Sequence, residues 1–183
     1  MNDNIKQPWI HIGYDGFSKQ GPKGLKVELM AKLVNKNKSS FYHHFADMEV
    51  FIECLLHYHL ERTKFIVART KECKNMVPEM LQLLVEVKKD LLFNRQLRIH
   101  RHLPEFKTCF EKANKPVEDA FLKIWSEALE LSENEQLAQI VLNLAVEYFY
   151  LQITEETLTY DWILTYFNEI RTMVIGIKTI KKA

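Results

Sequence analysis

The sequence predicts an all-α fold of about nine helices, in which a short head of three helices precedes a larger helical body. Three observations carry this. Only five Gly and five Pro occur in 183 residues, so several long stretches contain neither helix breaker. Apolar residues, 47% of the chain, recur at three- and four-residue steps and not at alternate positions. Turn and cap signals fall between those stretches and divide them into helix-sized pieces. Charged residues at 27% complete an ordinary composition for a folded domain and argue against disorder.

The elements come in this order. Pro8 suits a first helical position, and Trp9, Ile12, Gly13 and Phe17 share one face of a helix reaching about Lys19. Gly21-Pro22-Lys23-Gly24 breaks the chain. A second, short helix covers about Lys26 to Val34, with Val27, Met30, Ala31 and Val34 on one side. Asn35-Lys36-Asn37 reads as a turn, since Asn35 tolerates a left-handed backbone and Asn37 is placed to cap the next helix. That third helix, about Lys38 to Phe45, buries Phe41 and Phe45 one turn apart.

Asp47 is a cap candidate for a long helix to about Lys74. Pro78 opens another to about Leu92. A less regular helical stretch from Arg95 ends near Pro104. A helix with Phe106 and Phe110 comes next and continues past Pro116 to about Leu131. Ser132-Glu133-Asn134-Glu135 caps a helix to about Ile153, and the last helix runs from about Tyr160 to Lys178.

Net charge is +1, but it is unevenly spread. Residues 1–46 hold seven Lys and three acids, a net +4, while residues 47–183 hold 18 basic and 21 acidic residues, a net −3. A basic head on a mildly acidic body fits contact between the head and a polyanion. Three scattered cysteines (Cys54, Cys73 and Cys109) form no CxxC pattern and suit a reducing compartment. No signal-peptide pattern opens the chain. Its most apolar stretch, Ile140 to Ile153, is interrupted by Asn143, Glu147 and Gln152, so a cytoplasmic location without a membrane partner is expected.

Two short helices joined by a tight turn can place the second in a DNA major groove. On that second helix Lys38, Ser39, Ser40, Tyr42, His43 and His44 all donate or accept hydrogen bonds. The two serines are small enough to let the backbone approach base edges. Lys36 and Lys38 can neutralise phosphates, and Tyr42 can hydrogen-bond one. The segment Gly21 to Phe51 resembles the N-terminal domain of TetR/AcrR-family regulators through Gly24-Leu25, Ala31, Phe41, Tyr42, His44 and Phe45.

That resemblance implies a three-helix DNA-binding domain over 1–46, with the helix-turn-helix at about Lys26 to Phe45, and a ligand-binding and dimerisation domain over 47–183. It puts Lys26 against phosphate at the start of the second helix, and Asn37 as cap of the recognition helix. Lys38, Ser39, Ser40 and His43 would face the groove, with Tyr42 and His44 on phosphates. Three residues depart from the pattern. Asn35 stands for a turn Gly, Lys36 for an apolar turn residue and Met48 for a Lys.

A head this small gains from acting in pairs on a palindromic site. The last two helices carry apolar stripes broader than one buried face needs: Leu137, Ile140, Val141, Leu144 and Tyr148 on one, and Trp162, Ile163, Tyr166, Phe167 and Ile170 on the other. A homodimer through these helices is expected. Between head and dimer face, Phe51, Leu55, Tyr58, Leu84, Val87, Phe106, Phe110, Phe121 and Trp125 are either plain core or the lining of a pocket for a small-molecule effector. Arg98, His100, Arg101, His102 and Glu105 are either polar anchors in it or a solvated face.

An enzyme is not expected, and neither is a cofactor or metal. His57/His59 and His100/His102 are spaced by two and point to different helix faces, and no HExxH, GxSxG or Gly-rich phosphate loop occurs. The combined reading is a transcription regulator, most simply a repressor, that binds an operator as a homodimer and is released by a ligand. The alternative is a helical interaction or ligand-binding protein whose head has lost specific DNA binding.

Overall fold

The computed structural model describes residues 3–180, with side chains over 5–177. The outermost residues of both expected domains, 1–2 and 181–183, lie outside the described residues. Nine α-helices are found there and no strand: α1 (Asp3–Gln20), α2 (Val27–Leu33), α3 (Lys38–His44), α4 (Met48–Glu72), α5 (Leu81–Glu86), α6 (Lys88–Ile99), α7 (Pro104–Ala128), α8 (Glu135–Gln152) and α9 (Tyr160–Ile180). The expected fold class stands. No helix among the described residues is long and apolar enough to cross a membrane.

Local chemistry sets most boundaries. Asn37 caps α3 by accepting from the Ser40 amide at 2.8 Å. Asp47 accepts from Val50 at 2.9 Å ahead of α4, and Asn134 from Leu137 at 3.0 Å at the start of α8. Each such cap is worth about 1 kcal/mol, because it satisfies an amide that the helix itself cannot.

Two expectations are corrected. α1 starts at Asp3, so Pro8 sits inside it and not at its first position. The helix expected to open at Pro78 is capped earlier, by Asn75, whose side chain accepts from the Glu79 amide at 3.2 Å. It passes through a wide turn over Met76–Met80 and breaks at Val87, where φ −95° and ψ 18° end α5 before α6 begins. α6 then continues through Arg95 to Ile99, absorbing most of the stretch expected to be irregular.

The chain forms two compact units. The first takes residues 1–65 and 89–114, so the whole 1–46 head lies within it. Its core is aromatic: Trp9, Phe17, Phe41, Phe45, Phe51, Phe93 and Phe106 are each almost completely buried. Gly16 and Gly24 let α1 and the turn after it touch, since a Cβ on Gly24 would lie 2.1 Å from the Gly16 carbonyl oxygen.

A polar cluster is also buried in this unit. Tyr14 donates its hydroxyl proton to Asp90 Oδ1 at 2.8 Å. With that proton committed, the phenol oxygen accepts from Nδ1 of His59 at 2.7 Å. Arg62 reaches the same carboxylate twice, Nε to Oδ1 at 3.0 Å and Nη2 to Oδ2 at 2.9 Å. The Phe93 ring stacks on both Tyr14 and His59, at 4.3 and 4.6 Å between centroids. Helices α1, α4 and α6 are thereby tied at one point.

The second unit takes residues 66–88 and 115–183. Here α8 and α9 pack through aromatic rings. Trp162 stacks on Tyr166 at 5.5 Å, Phe149 touches both, and the Tyr166 hydroxyl donates to the Ala145 carbonyl at 2.6 Å. Burial pushes the Tyr166 phenol up to about 12.

Candidate nucleic-acid interface

The segment from Lys26 to Phe45 is two seven-residue helices and a tight turn. α2 ends in a Schellman arrangement. Asn35 adopts φ 54°, its amide donates to Lys32 O at 3.1 Å, and the Lys36 amide donates back to Ala31 O at 2.9 Å. Asparagine is among the few residues that enter this left-handed conformation at little cost, which is why it can stand where glycine is usual. Lys36 occupies the position that normally makes an apolar contact in this motif, and it is exposed instead.

α3 is fixed from below by rings. Phe41 meets Trp9 at 5.4 Å and Phe51 at 5.1 Å, and Phe45 meets Phe51 at 4.8 Å. A Cβ on Gly13 would intrude 2.3 Å from the Phe51 ring, so the rings need the missing side chain there. With Phe41 and Phe45 turned inward, the other side chains of α3 turn out. Lys38, Ser39, Tyr42 and His43 are exposed, as are Lys26, Lys36 and Asn37 beside them; Ser40 and His44 are half-buried. All nine residues expected at a nucleic-acid surface are thus within reach of solvent. Tyr42 is an aromatic side chain left 54% exposed above a closed aromatic core.

The electrostatics are basic. Lys23, Lys26, Lys32, Lys36 and Lys38 are exposed, and the Lys6 ammonium lies 5.6 Å from the Phe45 ring. Partial burial and the neighbouring His43, Lys6 and Lys36 hold His44 below the ordinary histidine value. One contact escapes sequence reasoning: the Lys38 ammonium donates to Glu28 Oε1 at 2.5 Å. The two residues are ten apart and lie on different helices, so no spacing rule joins them.

The other candidate surfaces sort differently. On α8, Ile140, Leu144 and Tyr148 are exposed at 48%, 66% and 57%. Leu137, Trp162 and Ile170 are half-buried. Ile163 and Phe167, only 2% and 4% exposed, are packed inside the chain, so the open apolar face is narrower than the full stripe. A groove between α8 and α9 is lined by Val141, Leu144, Tyr148, Tyr166, Ile170 and Met173, with Ala145 and Glu169 completing it. Met173 escapes the sequence reading, although it falls three residues after Ile170 on the same helix.

The nine residues read as core or pocket divide between the units. Phe51, Leu55, Tyr58, Phe106 and Phe110 belong to the first, where Phe51 supports α3. Leu84, Val87, Phe121 and Trp125 belong to the second. Trp125 is 3% exposed, and its indole N–H has no hydrogen-bond partner among the described residues. Of the polar candidates, Arg101, His102 and Glu105 are on the surface, His100 Nδ1 bonds the Gln96 carbonyl at 3.0 Å, and Arg98 lies over Phe110 at 5.2 Å. No group of three or more potential metal ligands exists among the described residues.

Neither a family model nor a curated protein matches the chain. Solved structures do. A transcriptional regulator (TerR/AcrR family) from Aquifex aeolicus VF5 superposes with a TM-score of 0.59 at 20% identity, over 96% of this chain and 98% of that one. A TetR-family transcriptional regulator from Rhodococcus sp. aligns with a TM-score of 0.47 at 15% identity, over 96% of each chain. The first likeness establishes that this chain has the same all-helical fold along nearly its full length.

Proposed function

We propose that the protein is a DNA-binding transcription regulator of the TetR/AcrR kind, which reads a palindromic operator as a homodimer and acts as a repressor. Residues 1–46 are the reading head and residues 47–183 the dimerising and regulatory body. The observation that carries this is the build of α3. It is a capped seven-residue helix after a left-handed Asn turn, held by buried rings beneath and showing polar groups above. Lys26, Lys36, Lys38 and Tyr42 take phosphates. Ser39, Ser40 and His43 meet the groove, and His44 lies at the phosphate edge.

The shared fold with a transcriptional regulator supports the reading, as does the basic head. The exposed Ile140, Leu144 and Tyr148 support a dimer through α8 and α9, because so much apolar surface on one helix is costly to leave in water. Trp125, with its unpartnered N–H among apolar neighbours of the second unit, supports a ligand that releases the operator by shifting the population of head positions. The reading gives the protein no catalytic step and a cytoplasmic site of action.

Selection of bound fragments from random duplex is the test. A palindromic consensus bound at least about a thousandfold more tightly than random duplex, with affinity falling steeply in salt, is the expected result. Equal binding of all sequences would sink the operator reading. No duplex binding at all would leave a helical interaction protein whose head is only structural.

A further inference from the structure

Within the helix-turn-helix, one acidic side chain stands among lysines. Glu28 is the only acid between Asp15 and Asp47, a span that holds Lys19, Lys23, Lys26, Lys32, Lys36 and Lys38. Its carboxylate does not face away from them. It accepts from the Lys38 ammonium at 2.5 Å, joining the first turn of α2 to the first residue of α3. Both side chains are exposed, 63% for Glu28 and 56% for Lys38, so water and a phosphate oxygen can reach the same ammonium. Lys38 also stands at the N-terminal end of α3, where a helix disfavours a cation, and the carboxylate offsets that.

We propose, on the DNA-reading role assigned above, that Glu28 is an internal competitor for phosphate: it holds Lys38 in the unbound head and gives it up when duplex binds. A lysine with no partner releases a condensed counterion from DNA when it meets a phosphate. A lysine taken from a carboxylate exchanges one anion for another, and the stranded carboxylate gathers a cation in its turn. The head therefore carries one more lysine at its surface than its salt dependence reveals. Glu28 restrains binding to duplex of any sequence, because the contact it contests carries no base information. Exposed pairs of this kind are weak and exchange readily, as competition requires.

The experiment compares the full-length protein with Glu28→Gln, Lys38→Gln and the double variant. Binding to random duplex and to the selected palindrome is followed over a salt series. Glu28→Gln is expected to tighten binding to both about 3- to 10-fold at low salt. It should steepen the plot of log affinity against log salt by about 0.9 per head, the value for one added phosphate contact. In the Glu28→Gln background, Lys38→Gln should remove that gain and the extra slope, whereas in the unchanged background it should alter the slope little. Circular dichroism checks that each variant keeps its helices.

An unchanged or weaker affinity for Glu28→Gln, with unchanged slope, overturns the competition while leaving the regulator reading intact. A gain that survives Lys38→Gln also overturns it, since the carboxylate would then act only as a general repulsive charge. Failure of the unaltered protein to bind any duplex overturns both readings together.

Discussion

The two compact units differ in the helix face that each leaves open, polar on α3 of the first and apolar on α8 of the second. In the first, the rings beneath α3 are closed in: Phe41, Phe45 and Phe51 show no surface, and on the outward side of α3 the Tyr42 ring is open, 54% exposed among polar groups. In the second, Phe149 holds α8 against Trp162 and Tyr166 of α9, yet Tyr148 and its aliphatic neighbours Ile140 and Leu144 stay open. On α3 the first unit thus buries its rings and offers polar groups to a hydrated, charged partner, although Leu29 and Leu33 on α2 and Ile99 on α6 stay exposed. The second has apolar surface left over, which suits a partner that is itself apolar, such as the same face of a second copy. A helix's exposed side states what it meets only once its buried side has been accounted for.

The largest effect should come from the polar knot of the first unit. Asp90→Ala leaves the Arg62 guanidinium and the Tyr14 hydroxyl without their shared acceptor, and a loss of about 3–4 kcal/mol is expected in urea unfolding. A loss under about 1 kcal/mol would mean that the unit is held by its rings alone and would erase half of the contrast.

His59 gives the same knot a pH signature. Burial holds it down to about 4 against an ordinary 6.5. A base whose folded value is depressed stays neutral in the native state while the unfolded chain takes up the proton. Stability is therefore fully present above about 6.5 and falls as pH drops towards 4, by up to about 3 kcal/mol. Denaturation midpoints measured between pH 7 and 4.5 should show that decline, and His59→Gln should flatten it. An equal decline in the variant would assign the effect to other groups.

In the second unit, Leu144→Glu sets a charge in the open face without touching the core. It should weaken self-association by roughly 2 kcal/mol or more, seen by light scattering as a monomer at micromolar concentration with an unchanged helical spectrum. A dimer that persists unaltered would show that this face is not where two copies meet. The smallest expected change is Tyr42→Phe on α3, which removes one hydroxyl from an exposed ring. A loss of about 1–2 kcal/mol in operator affinity with unaltered stability is expected, and unaltered affinity would take Tyr42 off the phosphate backbone.

The chain alone determined its punctuation. Asn35 in the left-handed turn, and Asn37, Asp47 and Asn134 as caps, act on amides within three or four residues. Such bonds depend on residue type and spacing, which any reader of the sequence has. The inward turn of Phe41 and Phe45 was legible for the same reason, since two rings one turn apart share a face. Tertiary structure alone decided the rest. Tyr14 meets Asp90 across 76 residues, and Lys38 meets Glu28 across a turn between two helices. Of the stripe on α9, Phe167 went inside, whereas Leu144 on the α8 stripe did not. Periodicity fixes which residues lie together on a helix, but only the packing of other helices against it chooses the face to be covered.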